Sequence, residues 1–213
     1  MDKNVLKNLS YGMYVIGSKS DKYVGCIANT VVQITSNPMT IAISINHDNY
    51  TNEVIKKTNK FSISILSENS NPEIIGTFGY QSSKDIDKFK GFSTKELEEM
   101  PILTDSCGNI VCKVINFLET NTHTIFIGEV VAMENYTNDK PMTYKYYHEV
   151  LKGKSPKNAP TYIEEKVEDT KEVNIWKCNI CGYEVEMDEL PEDYKCPICG
   201  QPKSEFTKIK KEI

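Results

Sequence analysis

Residues Gly25–Ile55 read GCIANTVVQITSNPMTIAISINHDNYTNEVI, and their pattern decides the kind of fold the chain adopts. Met39, Ile41, Ile43 and Ile45 alternate with small or polar residues, which is the period-two signature of a half-buried β-strand. Just upstream, YVIGSK and VGCIANTVVQITS read as a pair of strands. Downstream, KFSISIL repeats the alternation with Phe61, Ile63 and Ile65, and NIVCKVINFLE and THTIFIGEVVAME are two more strands joined by a short polar turn. Short helices are predicted over Tyr50–Thr58 and Pro72–Gly79, the first opened by Asn49 or Thr51 as its N-cap. Many short antiparallel strands with two or three small helices imply a mainly β barrel or sandwich.

The same stretch is rich in uncharged hydrogen-bonding groups. Asn29, Thr30, Gln33, Thr35, Ser36, Asn46 and Thr51 are able to satisfy the carbonyls of a flavin ring and a phosphate, although each taken singly is equally a turn or cap residue. All 25 basic residues are Lys, so a bound phosphate must be held without a guanidinium fork. No Gly-x-Gly-x-x-Gly follows a strand and no Gly-x-x-x-x-Gly-Lys-Ser/Thr is present, which excludes the usual Rossmann and P-loop sites.

With 213 residues, 39% of them hydrophobic, the chain suffices for one domain of roughly 150 residues and a small second one. No apolar run approaches the ~20 residues of a membrane span, and the N-terminus lacks the uninterrupted apolar core of a signal peptide. A cytoplasmic location without membrane attachment follows, where paired cysteines are metal ligands or redox groups rather than disulfides. The net charge of −5 is unevenly spread: residues 1–163 balance 17 Lys against 17 acids, whereas residues 174–213 carry six Lys against eight acids. An acidic cysteine-rich end argues against nucleic acid as a partner. These shifts divide the chain into 1–163, a charged linker at 164–173, and 174–213. The Pro- and Lys-rich KGKSPKNAPTY closes the first domain and is expected to run extended over its surface.

Four of the seven cysteines, Cys178, Cys181, Cys196 and Cys199, form two Cys-x-x-Cys hooks fourteen residues apart. Such hooks place four sulfurs at the corners of a tetrahedron, an arrangement that selects zinc or iron, and the spacing alone leaves both open. The tail has too little apolar surface to fold by itself, so the metal is expected to nucleate it. Gly182 and Gly200 follow the hooks and permit tight turns that aim backbone N–H groups at sulfur. Trp176, Tyr183, Tyr194 and Phe206 supply an aromatic shell that limits water, and this surrounding favours iron. Cys26, Cys107 and Cys112 have no ligand spacing and read as small buried hydrophobes.

CGY, LPEDYKCPICG and PKSEF, within Trp176–Ile209, resemble rubredoxin, with a gap between hooks closer to the rubredoxin module of rubrerythrin. Residues 4–162 resemble the FMN-binding split barrel of the flavin reductase-like family. The motifs that carry this likeness are Gly25–Thr30, Thr35–Pro38, Tyr50-Thr51, Asp87-Lys88-Phe89 and His123–Val130. The resemblance implies a homodimeric antiparallel barrel with noncovalent FMN near the subunit interface. By motif position, Asn29, Thr30, Gln33 and Thr35 would face the isoalloxazine, and Asn46, Thr51 and Lys88 would hold the ribityl phosphate. Ser82, Ser83 and Lys84 would be further phosphate contacts, and His123 would sit at the reactive face where nicotinamide arrives.

A barrel of this kind followed by a rubredoxin resembles the high-molecular-weight rubredoxins. That likeness implies an NAD(P)H-dependent oxidoreductase that passes electrons through FMN to an Fe(SCys)₄ centre and on to a partner such as a flavodiiron protein. A flavin accepts a hydride and releases electrons singly, which suits a one-iron neighbour. Two alternatives compete: a flavin or ferric reductase with a zinc-bound interaction tail, and an electron-carrying adaptor that does not oxidise NAD(P)H.

Overall fold

A computed structural model describes residues 3–153, 159–161 and 172–212. The expected linker therefore lies outside the described residues apart from Glu172 and Val173, as do residues 154–158 of the Pro- and Lys-rich segment.

Seven strands form one antiparallel sheet: β1 Tyr14–Lys19, β2 Tyr23–Ala28, β3 Val31–Ser36, β4 Met39–Asn46, β5 Lys60–Ile65, β8 Gly108–Glu119 and β9 His123–Asn135. Their order is β2-β1-β5-β8-β9-β4-β3. Ile16 of β1, Cys26 and Ala28 of β2, Ile41, Ile43 and Ile45 of β4, and Phe126 of β9 share one buried cluster. Strands from both ends of the sheet thus enclose the same core, which requires the sheet to roll into a barrel although the edge strands β2 and β3 do not pair with each other. Isoleucines and Phe61 dominate that core because β-branched and aromatic side chains fit a pleated, buried surface. Cys26 and Cys112 are buried in it as small apolar side chains, as expected.

The remaining elements are α1 Tyr50–Thr58, α2 Glu73–Tyr80, the hairpin of β6 Thr94–Leu97 and β7 Met100–Leu103, and α3 Tyr144–Glu149. Beyond them, β10 Glu172–Cys178, β11 Glu184–Glu186 and β12 Phe206–Glu212 make a separate three-stranded sheet in the order β11-β10-β12. Helix α1 matches its predicted span and α2 lies one residue later than predicted. Among the described residues no helix is long and apolar enough to cross a membrane.

VGCIANTVVQITS is two strands rather than one. The chain breaks at Asn29-Thr30, where the Thr30 hydroxyl donates to Asn29 Oδ1 at 3.0 Å, and β2 and β3 go to opposite edges of the sheet. This break turns the Asn29 side chain out of the strand alternation.

Lys88 also departs from expectation. Its side chain is buried, with Nζ donating to the carbonyls of Gly25 at 2.9 Å and Phe78 at 3.1 Å, so it pins β2 to the end of α2 instead of facing a phosphate. Burial pulls its pKa down from 10.5 to about 8. The folded state therefore binds the proton more weakly than the unfolded chain, and stability rises as pH climbs from about 8 to 10.5. Relative to Lys88→Met, the parent should gain of the order of 3 kcal/mol across that window in urea unfolding; parallel pH profiles would contradict the buried ammonium.

Candidate functional site

The open ends of β2 and β4, the start of β9 and the helices α2 and α3 surround a cavity of about 660 Å³, including the part open to solvent. Its polar lining is Asn29, Ser44, Asn46, Asn49 and His123, and its apolar walls include Ile45, Ile75, Phe78, Tyr144 and Tyr147. Flat apolar walls with a few uncharged donors fit a ring system with carbonyls and imide groups, which is the chemistry of a flavin.

Strand pairing brings the polar groups together. Asn46 and His123 are direct cross-strand partners in the β4–β9 ladder, so both side chains emerge on one face. Asn46 Oδ1 accepts the Asp48 N–H at 2.8 Å and shapes the turn into α1. The N-cap of α1, Asn49, makes no side-chain capping bond and lines the cavity, so the helix presents its positive end there. A helix N-terminus favours anions, and in a chain without Arg it is the natural place for a phosphate. Asn29 Nδ2 donates to Thr161 Oγ1 at 3.1 Å, joining the break after β2 to the segment that brings Ala159 and Pro160 to the rim.

His123 Nδ1 lies 2.8 Å from Thr122 Oγ1, which fixes the ring. Burial, followed by the nearby His47, holds its pKa below the ordinary value, so the ring is neutral at neutral pH. A neutral imidazole offers one donor and one acceptor.

Of the residues expected to bind flavin, the structure gathers Asn29, Asn46 and His123 on the cavity, with Thr30 bonded to Asn29. Thr51 is buried in the first turn of α1, away from the cavity lining. Gln33 and Thr35 lie on the exposed edge strand β3, Thr35 about 13 Å along the strand from Val31, beyond reach of this cavity within one chain. Ser83 is buried and bonds both N–H and carbonyl of Gly25, and Lys84 Nζ sits 5.3 Å from the Tyr50 ring centre. Ser44, Tyr80 and Tyr147 line the cavity without having been read from the sequence. They come from three separated elements, and no local pattern links them.

The four cysteines form a second site. Cys178, Cys181, Cys196 and Cys199 are all buried, and their sulfurs all lie within 4.8 Å of one another. Cys178 and Cys199 are 3.6 Å apart, and Cys181 and Cys196 are 3.4 Å apart. A tetrahedral centre with metal–sulfur bonds of about 2.3 Å needs sulfurs roughly 3.8 Å apart, so the donor set fits one metal ion. Each hook closes the same way: Gly182 N–H donates to Cys178 O at 2.9 Å and Gly200 N–H to Cys196 O at 2.8 Å. Both glycines have φ near +70°, at +75° and +69°, a left-handed conformation that side chains disfavour.

Backbone N–H groups of Tyr183, Ile198, Cys199 and Gln201 aim at the sulfurs. The N–H groups of Ile198 and Cys199 favour the thiolate form of Cys196. Such bonds stabilise the negative charge of a four-thiolate metal centre. Trp176, Tyr183, Tyr194 and Phe206 pack around it, the last two rings edge to face at 5.4 Å.

The two sites share a wall. Ile74, Ile75 and Phe78 of α2 and Tyr144 and Tyr147 of α3 belong to one buried cluster with the four cysteines, Leu190, Ile198 and Phe206. Ile75, Phe78, Tyr144 and Tyr147 also line the cavity.

Comparison with known proteins agrees with this division. The Flavin reductase like domain family matches residues 6–155, and the Rubrerythrin, rubredoxin-like domain matches residues 176–207. The High molecular weight rubredoxin of Moorella thermoacetica is 38% identical over 229 aligned residues, covering 98% of this chain and 100% of that protein. The Ferric-chelate reductase (NAD(P)H) of Archaeoglobus fulgidus is 36% identical, covering 78% of this chain and 100% of its own. The solved NADH:FAD oxidoreductase of Streptomyces globisporus has the same fold at a TM-score of 0.61 and 20% identity, covering 66% of this chain and 85% of its own. The chain belongs to the flavin reductase-like family and, with its C-terminal rubredoxin-like domain, has the two-domain build of a high molecular weight rubredoxin.

Proposed function

We propose that the protein is an NAD(P)H-dependent flavoprotein that holds noncovalent FMN in the cavity and passes electrons through an iron bound by Cys178, Cys181, Cys196 and Cys199 to an acceptor protein. The observation that carries this reading is the wall common to the cavity and the four-cysteine centre. The flavin supplies the change from two-electron hydride chemistry to single-electron output, and the iron supplies a one-electron exit. Asn29, Thr30 and Asn46 would hold and orient the ring, the N-terminus of α1 would hold the phosphate end, and neutral His123 would stand beside the ring. The aromatic shell and the N–H groups around the sulfurs keep the metal centre dry and favour its negatively charged state. The acidic C-terminal domain would steer toward a basic patch on the acceptor, for which a flavodiiron protein is the partner type that the family resemblance implies.

A homodimer belongs to this proposal. The edge strand β3 exposes Val32 and Ile34, and the long ends of β8 and β9 expose Ile115, Phe117, Val131 and Met133. A second copy covering these side chains would carry Gln33 and Thr35 into the interface where the family resemblance sets the flavin. Ile34→Lys should then shift the protein toward monomer in light scattering and weaken flavin retention.

Replacing Cys196 with Ser tests the route. Flavin reduction by NAD(P)H should persist while transfer to a protein acceptor is lost; unchanged transfer would refute passage through the metal. His123→Ala should slow flavin reduction roughly 2- to 12-fold in stopped flow, the equivalent of one hydrogen bond. An equal loss in flavin affinity with no rate effect would make His123 a binding residue only.

The 36% identity to the ferric-chelate reductase favours a second reading, in which the barrel reduces a diffusible acceptor and the tail holds zinc. Metal analysis and the visible spectrum of protein from its native host separate the two, since zinc adds no colour.

A further inference from the structure

Helix α2 contains two glycines within eight residues, Gly76 and Gly79, although glycine is the least favourable residue inside a helix except proline. A glycine in such a place marks a close approach. The two positions differ. A Cβ added at Gly79 would meet Ile27 at 3.6 Å, an ordinary contact, whereas a Cβ at Gly76 would overlap the Cβ of Cys199. A Cβ at Gly200, the next residue, would overlap the side chain of Glu73 one turn earlier on the same helix. A helix bare at position 76 is what lets the Cys196–Cys199 turn press against α2, because the atoms in the way there are the Cβ and Cα of Cys199, whereas the Glu73 side chain facing Gly200 is free to swing aside.

One face of α2 therefore touches a metal ligand, while Ile75 and Phe78 of the same helix line the cavity. Tyr80, at the end of α2, brings its hydroxyl within 3.2 Å of the Tyr147 hydroxyl, and both residues line the cavity and pack against the cluster that contains the cysteines. The path from cavity to sulfur is thus one helix thick, and it runs within a single chain.

We propose that Gly76 is the positioning residue for electron transfer between the two centres: it lets the Cys199 hook seat on α2 so that electrons cross from the cavity to the metal of the same chain. This inference rests on the flavin-to-iron reading above. The step moves one electron and breaks no bond at the cysteines. The flavin, previously reduced by hydride, loses the electron and releases its proton to solvent, and ferric iron becomes ferrous.

The test uses the full chain loaded with flavin and iron, and compares Gly76→Ala with Gly79→Ala. Both changes favour the helix equally, so any difference between them reports the contact with Cys199 rather than helix stability. In hydrogen exchange, Gly76→Ala should lose protection in residues 73–80 and 196–200, while Gly79→Ala keeps it. The flavin is then reduced by light with a sacrificial donor, without NAD(P)H, and bleaching of the ferric-thiolate absorption is followed. The Gly76→Ala protein should bleach at least an order of magnitude more slowly than the parent. Equal bleaching rates, or unchanged exchange in both segments, would overturn the role of Gly76. A parent protein whose iron stays oxidised beside reduced flavin would instead overturn the underlying flavin-to-iron reading.

Discussion

Stripping the metal from the four-cysteine site is expected to unfold residues 174–212 while the barrel remains folded. Apart from the cysteines, the fully described apolar core of that domain consists of Ile175, Leu190, Ile198 and Phe206. At ~25 cal/mol per Å² of apolar surface, four such side chains stabilise by only several kcal/mol, less than the chain entropy of ordering roughly forty residues. Structural zinc in small four-ligand sites contributes about 10–16 kcal/mol at neutral pH, and a metal contribution of that order decides the fold here. Trp176 is the sole tryptophan and lies in this domain, packed against the cluster around the sulfurs, so its fluorescence reports this event alone. Chelation under reducing conditions should shift Trp176 emission to that of a solvated indole while the β-sheet circular dichroism of the barrel persists. A native Trp176 spectrum after complete metal loss would show that the domain holds itself together.

Phe61→Ala is expected to cost the barrel about 3–5 kcal/mol. Phe61 is fully buried near the start of β5, and its ring occupies the space that a side chain at Gly128 would fill, against Cys112. The rolled sheet around it cannot collapse onto the void without breaking ladder hydrogen bonds on both sides, so a cavity remains. Because β4 and β9 pack on the same core, β4 ending in Asn46 and β9 beginning with His123, the substitution should also weaken flavin retention. Urea unfolding followed by circular dichroism measures the loss; a change below about 1 kcal/mol would mean that the core refills the space.

The strands were legible where alternation was clean, in MTIAISIN, KFSISI and the two long strands β8 and β9. VGCIANTVVQITS misled because β-branched residues flank Asn29 on both sides and no Pro or Gly marks the break. Its break is set by the bond between Thr30 and Asn29 and by the demand that the two halves sit at opposite sheet edges. The β6–β7 hairpin gave no turn signal, since its corner residues Glu98 and Glu99 adopt positive φ without being Gly or Asn. Helix α3 is six residues long, too short for a period to emerge.

The metal centre was fully legible because its ligands and turns are local in sequence. The cavity was legible in part. Asn46 and His123 are united by strand register, but Asn29 reaches the cavity at the chain break after β2, and Lys88 is claimed by two carbonyls from β2 and α2 that only the tertiary fold brings to it. Gly76 falls inside the predicted Pro72–Gly79 helix, yet nothing local to it points to its partner Cys199, far away in the sequence.

The central claim, that electrons pass from flavin to a four-thiolate iron in this chain, is tested most directly by anaerobic titration of the full-length protein with NAD(P)H under visible spectroscopy. The account predicts that flavin absorption and the ferric-thiolate band bleach together, with each hydride equivalent accounting for two electrons shared between them. Flavin that bleaches beside an unchanged metal band, or a protein that shows flavin colour alone, would contradict it.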